Sequence, residues 1–375
     1  MAYVSDTNLF PVWREPRSFW ERTGLTPEQR RRLDMALAAL VVVLLAGWIY
    51  SVAAALRRGE APQVARRLGR AANPLAADAP PPAAFLLDAA LRQLVTASGW
   101  AGESGAVRVV VEQPGDTTVQ LIDSLPTGVR VGYAPEGAKA AQPTAATPEE
   151  PGIWNVLLQA RGAMRLVPDL HLVTLVPRAK VHGGRIGEYR LGSWPEKGGI
   201  YTPPSGFVKV TPENMNTYVS EHIQLKDFLT KGQQGVWPKY VAMSPRLLDK
   251  LELTFQELER EGHPVENVFA VSGFRTPYYN ENGGNTSGRA SLSRHMYGDA
   301  MDMAIDNDHD GLMDDLNGDG DVNIEDARVL GRAAEKVEEA HPDLVGGIGV
   351  YPPTPAHHGF VHIDTRGYRA RWGPW

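Results

Sequence analysis

The chain has 375 residues, 38 Lys and Arg against 44 Asp and Glu, a formal net charge of −6 and 43% apolar residues. That balance excludes wholesale disorder and argues against a basic, nucleic-acid-binding protein, so no nucleic-acid partner is expected. Cysteine is absent, which removes disulfides, thiolate nucleophiles and sulfur-ligated metals, and any transition-metal site must be built from His, Asp and Glu.

At about 150 residues per domain the length predicts two or three folded units. Residues 1–33 are expected to be a cytoplasmic tail. The uncharged run 36–56, ALAALVVVLLAGWIYSVAAAL, is long enough at about 1.5 Å per residue to cross the roughly 30 Å of a bilayer core. Arginines bracket it (Arg30, Arg31 and Arg32 before, Arg57 and Arg58 after), so 34–57 is expected to be an uncleaved transmembrane anchor, with a cleaved signal peptide as its rival. Basic residues on both flanks leave the orientation open. The Ala-, Arg- and Pro-rich stretch 58–83 reads as a linker. Residues 84–135 are predicted to form a small α/β module, with a short helix in FLLDAALRQLV and strands in VRVVVEQ, TTVQLI and TGVRVGY. A second linker is expected at 136–152, and then a strand-rich module of unassigned role at 153–230.

The part from 231 to 375 carries the chemistry. Ser244 followed by Pro245 is a helix start, and Leu248, Leu251, Phe255 and Leu258 recur at helical spacing behind it. The segments VFAVSGF, GDAMDMAID, GGIGVY and GFVHID read as short strands. The predicted class is α+β, an antiparallel sheet covered by packed helices and preceded by the single transmembrane helix and small strand-rich modules.

Within SRHMYGDAMD, His295 and Asp302 are seven residues apart, and a reversal at Gly298 would let a loop histidine and a strand aspartate meet. Asp302 shares a strand face with Ala300 and Ala304, which leave room for an ion. His362 lies inside the apolar strand GFVHID, an expensive place for an imidazole unless it is paired or ligated. Two imidazole nitrogens and one carboxylate oxygen leave a fourth tetrahedral position open, the pattern of catalytic rather than structural zinc.

These segments resemble the zinc D-alanyl-D-alanine peptidase (murein endopeptidase) family, whose fold is shared with lysostaphin-type peptidases and the hedgehog signalling domain. The family pattern S-x-H-x-x-G-x-A-x-D is matched by Ser293, His295, Gly298, Ala300 and Asp302; SGFRTPYYN resembles its S-G-[YF]-R-[ST] segment, and GGIGVY with GFVHID its closing strands. The resemblance covers roughly 240–372. It implies zinc held by His295, Asp302 and His362, with Arg275 facing the scissile peptide and Ser293 beside the substrate. A guanidinium there can clamp a carboxylate or stabilise an oxyanion, and zinc would lower the pKa of a bound water towards 7 and supply the nucleophile. The better-known branch of the family carries a glutamate just before its last zinc-binding histidine. No Glu stands near His362; Asp364, on the same strand face, is the preferred general base, His358 competes with it, and second-sphere support of a ligand is the other role open to Asp364.

After Asp302 comes AIDNDHDGLMDDLNGDGDVNIEDARVL. Asp306, Asp308, Asp310 and Gly311 fit the start of an EF-hand-type loop; Asp315, Asn317, Asp319, Gly320 and Asp326 fit a second that overlaps it. Asp314 and Asp321 add carboxylates. The run resembles the tandem calcium loops of dockerin or thrombospondin repeats, and structural calcium is expected at 306–326, followed by a helix striped by Ala327, Leu330, Ala334 and Val337.

The expected function is therefore a single-pass inner-membrane zinc metallopeptidase with its catalytic domain outside the cytoplasm, hydrolysing peptidoglycan stem-peptide amides beside a D-amino acid. Endopeptidase and carboxypeptidase action share these residues. The alternative is a cell-wall-binding or regulatory module on a zinc-peptidase fold that has lost hydrolysis.

Overall fold

The computed structural model describes residues 108–112, 127–135 and 148–375, apart from 196, 285, 287, 288 and 355–357, together with positions 26, 29, 32 and 35. Contacts divide the chain into Met1–Gly69 and Arg70–Trp375. In the first unit, Thr26 and Gln29 exchange backbone-to-side-chain hydrogen bonds of 2.9 and 3.3 Å, a capping arrangement.

The structure does not bear out the expected transmembrane anchor. No helix among the described residues is long and apolar enough to cross a membrane, and the run 36–56 that motivated the anchor lies outside the described residues, as do the predicted linker 58–83 and the helix at 85–95. The fold is mixed α and β with mainly antiparallel sheets; neither a single-pass architecture nor an inner-membrane location is carried forward.

The first sheet is built from β1 (Arg108–Glu112), β2 (Val129–Pro135), β3 (Gly152–Ala160) and β4 (Ala163–Thr174), in the order β1-β4-β3-β2. Arg161 and Gly162, both at positive φ, make the two-residue turn between β3 and β4, whose right-handed twist such turns match. Because β2 pairs with β3 along its whole length, the sheet crosses the linker predicted at 136–152. The two modules expected on either side of it are not separate.

Short strands follow: β5 (Val176–Pro177), the hairpin of β6 (Arg185–Ile186) with β7 (Tyr189–Arg190), β8 (Gly206–Val210) and β9 (Lys239–Val241). β5, β8 and β9 form a three-stranded sheet. Their side chains, Phe207, Val208, Val210 and Val241 among them, enter the same core as the C-terminal part. The boundary predicted at 230 therefore does not divide two hydrophobic cores.

The C-terminal layer consists of α1 (Pro245–Arg260), β10 (Val268–Ser272), α2 (Pro277–Asn282), β11 (Ala300–Ile305), α3 (Ile324–Ala340), β12 (Gly347–Tyr351), β13 (Phe360–Asp364) and β14 (Ala370–Trp372). Its sheet runs β10-β11-β13-β12-β14, antiparallel except for the last pair. α1 begins at Ser244 and Pro245 as the sequence predicts, and buries Leu247, Leu248, Leu251, Phe255 and Leu258. α3 is capped by Asn323, whose side chain accepts from Glu325 N, while Asp326 reaches back to Asn323 N at 2.7 Å. Ala327, Leu330, Ala334 and Val337 are buried, the stripe read from the sequence. The helices share a core with Met301, Met303, Ile305, Ile348, Val350, Val361 and Ile363. Since strand side chains alternate, Asp302, His362 and Asp364 fall on the opposite face.

Candidate metal centre

Register sets the geometry. Asp302 on β11 pairs directly with His362 on β13, Ala300 pairs with Asp364, and Gly349 on β12 flanks His362 from the other side. Directly paired residues hold their Cβ atoms about 4.5–5.5 Å apart, so the aspartate and the histidine meet without loop motion. His295 arrives from a 3-10 turn, Arg294–Tyr297, closed by Gly298 in the left-handed region at φ 76. A Cβ on Gly298 would lie 2.5 Å from the Ala242 carbonyl carbon, so the reversal requires glycine. Arg294 braces the turn by pairing with both carboxylate oxygens of Asp299.

Three donor atoms converge. His362 Nδ1 is 2.7 Å from Asp302 Oδ1, His295 Nε2 is 3.1 Å from the same oxygen, and the two nitrogens are 3.1 Å apart. All three residues are buried. Each ring's far nitrogen has an acceptor: His295 Nδ1–H donates to the Gly273 carbonyl (2.7 Å) and His362 Nε2–H to Asp364 Oδ2 (3.0 Å). Both inner nitrogens are thereby left with lone pairs directed at a carboxylate oxygen. Three lone pairs at this spacing repel unless a cation sits among them, and the separations approach the roughly 3.3 Å edge of a tetrahedral site with bonds of about 2.0–2.1 Å. The donor set, two nitrogens and one oxygen without sulfur, suits zinc.

The protonation states of His295 and Asp302 agree. Burial drives the His295 imidazole down, towards the neutral form a metal needs. Burial also opposes ionisation of Asp302, but the two imidazoles hold its carboxyl well below the ordinary carboxylate range. His362 is the exception: burial would lower it, yet hydrogen bonds to Asp302 and Asp364 hold it above the ordinary histidine value. A proton and a metal ion therefore compete for His362 Nδ1.

Arg275 and Asp364 support this triangle from opposite sides. Arg275 Nη2 donates to Asp302 Oδ2 at 2.6 Å, leaving Oδ1 to face the imidazoles, and its Nε donates to Ser272 Oγ at 2.8 Å. Nη1 makes no hydrogen bond to any described residue. Asp364 is fully buried; Oδ2 takes His362 and Arg366, and Oδ1 accepts from Gly347 N at 2.7 Å and Arg366 N at 3.1 Å. Its carboxyl is held far below the ordinary range, since these hydrogen bonds outweigh burial. This geometry is that of a histidine-orienting carboxylate, the second role the sequence left open to it, rather than that of a general base. His358 is exposed on the approach to β13 and does not belong to the converging set. Ser293 is buried at the start of the turn, where its carbonyl accepts from Met296 N.

Two aromatic residues at this site carried no signal in motif or spacing. Trp372 on β14 lies beside Gly349, where a Cβ would sit 2.2 Å from the indole nitrogen, and its ring centroid is 5.0 Å from that of His362. Trp372 Nε1 donates to Tyr351 Oη at 2.7 Å. Burial pushes the Tyr351 phenol up, and Asp302 adds to the shift.

In the 306–326 insertion, Asp306, Asp308 and Asp314 bring one carboxylate oxygen each within 4.8 Å of one another. Asp310 Oδ1 accepts from Leu312 N. In the following loop the oxygens cap backbone amides: Asp315 takes Gly318 N and Gly320 N, Asn317 takes Asp319 N, and Asp319 takes Asp321 N. Asp321 is exposed. Asp326 is fully buried and accepts from Leu316, Asn317 and Asn323. A third convergent group, Glu221, His222 and Glu252, is an ion pair in character: both ring nitrogens of His222 face acceptors, Glu252 Oε2 at 2.8 Å and the Val265 carbonyl at 3.2 Å.

Comparison with protein-family models, with curated proteins and with solved structures returns no match for this chain. Its chemistry is read from the residues and their geometry.

Proposed function

We propose that this protein is a zinc metallopeptidase that hydrolyses peptide amide bonds, with peptidoglycan stem peptides, cut beside a D-amino acid, as its substrate class. The observation that carries the hydrolase reading is the convergence of His295 Nε2, Asp302 Oδ1 and His362 Nδ1, each oriented by a partner behind it. The substrate class rests on the motif resemblance. A bound zinc would supply Lewis acidity towards a water molecule and a carbonyl oxygen. With their outer nitrogens donating to Gly273 and Asp364, His295 and neutral His362 offer their inner nitrogens to zinc, which must displace a proton at His362. Arg275 fixes Asp302 with one arm and offers Nη1 to a substrate carbonyl or carboxylate. Because Asp364 is committed to His362 and Arg366, His358, the candidate that competed with it in the sequence, is the proposed proton acceptor.

The test uses the full chain on defined muropeptides, with zinc and after its removal, the products weighed by mass spectrometry. Zinc-dependent release of a new amine is expected, and product masses separate endopeptidase from carboxypeptidase action. His358→Ala should lower turnover by about 10²–10⁴-fold while zinc is retained. The full engagement of the Asp364 oxygens is the observation that favours the second reading, a module that binds cell wall without cutting it. Muropeptide binding with no metal-dependent product would establish that reading instead.

A further inference from the structure

We propose that Asp306, Asp308 and Asp314 form a calcium site, distinct from the zinc triangle, that ties the root of the 306–326 insertion to the end of β11. Two independent observations carry it. The first is the convergence of the three carboxylates, an all-oxygen donor set that suits a hard divalent cation and offers neither nitrogen nor sulfur to zinc. The second is Asp306 itself. It is buried, at 3% exposure, and its Oδ2 accepts from Gly311 N at 3.2 Å, yet Oδ1 is buried with no hydrogen-bond partner. An unpartnered carboxylate oxygen away from water costs several kcal/mol unless something positive neutralises it.

The loop is built to hold that oxygen in place. Asp306 N donates to the Asn267 carbonyl and Asn267 Nδ2 to the Asp306 carbonyl, at 3.1 and 2.8 Å. Asp314 N returns to the Ile305 carbonyl at 2.9 Å, and Asn307 N donates to Asp314 Oδ2 at 2.8 Å. Asp314 thus folds back over the strand end opposite Asp306, with Gly311 making the turn at φ 81. Burial, then the negative charges of Asp308, Asp306 and Asp310, push the Asp314 carboxyl up, as expected where anions crowd without a counter-ion. Asp308 is exposed, which leaves one side of the group open to water ligands and to the six to eight oxygens calcium takes, a looser shell than magnesium tolerates.

The test follows thermal unfolding of the full chain after treatment with a calcium-selective chelator, with zinc content checked by elemental analysis. Calcium chloride alone should raise the midpoint saturably, by roughly 5–10 °C at about a hundredfold excess over the dissociation constant, and magnesium chloride at equal concentration should do so less. Asp308→Asn and Asp314→Asn, each removing one of the crowded anions, should match or exceed the native calcium-free midpoint and lose most of the calcium response. Asp306→Asn should raise the calcium-free midpoint, because a neutral amide replaces an uncompensated anion. Asp319→Asn, in the following loop, should keep the response. No calcium-dependent rise in the native chain, a full response in both Asp308→Asn and Asp314→Asn, or its abolition by Asp319→Asn would each overturn the proposal.

Discussion

Asp302 and Asp364 sit on neighbouring strands of one sheet face, and their partners separate their roles. Asp302 presents one oxygen to two imidazoles and the other to Arg275. Asp364 spends both on His362, Arg366 and the Gly347 amide. Asp364→Asn should therefore weaken zinc affinity by about 10–100-fold, since it reduces the basicity and fixity of His362; competition against a chelator measures this. If Asp364 acted as general base instead, turnover would fall with zinc affinity unchanged. His222 gives the pH prediction. Burial alone would lower its pKa, but the hydrogen bond and charge of Glu252, with Glu221 and the Val265 carbonyl, raise it above the ordinary 6.5. A raised folded-state pKa means that its stabilisation is complete below about pH 6.5 and is lost as pH rises through the folded value. The thermal midpoint of the native chain should fall over that window relative to His222→Gln; parallel profiles would contradict the assignment.

At the scale of elements, Lys250 links α1, α3 and β13. Its fully buried ammonium donates to Glu338 Oε1 at 2.6 Å and to the Asp364 carbonyl at 2.7 Å. Glu338 is also held by Arg371 and by the Gly346 amide. Breaking a buried pair costs about 3–5 kcal/mol, and because Glu338 keeps Arg371, Lys250→Met should cost about 3 kcal/mol, read by denaturant unfolding. A cost under about 1 kcal/mol would show that the lysine carries little of the helix-to-sheet attachment. Both long helices were legible in the sequence, since Ser244 with Pro245 and the Leu248, Leu251, Phe255 and Leu258 spacing are local signals. Segment 175–240 was legible as strand-rich, but not in its contacts with the site. It braces the site through single hydrogen bonds, Thr230 Oγ1 to the Phe274 carbonyl and Trp194 Nε1 to the Met296 carbonyl, which leave no periodicity to read. Likewise β2 pairs with β3 across a stretch whose Ala, Pro and Gly composition predicts a linker, because composition reports local stiffness and not long-range register.

For the molecule as a whole, the sequence motifs brought His295, Asp302 and His362 to one point because each lies on a short segment with its own signal: the Gly298 reversal, the alternation of β11, and an imidazole inside an apolar strand. The tasks of Asp364, Tyr351 and Trp372 were not readable, because they depend on carboxylate orientation, on Gly349 lacking a side chain, and on the parallel docking of β14. The central claim is that the three converging side chains share one zinc ion. Elemental analysis of the purified chain and of Asp302→Ala tests it most directly: one zinc per chain is predicted in the native protein and a near-complete loss in the variant, whereas a native chain that takes up no zinc, or a variant that retains it fully, would contradict the account.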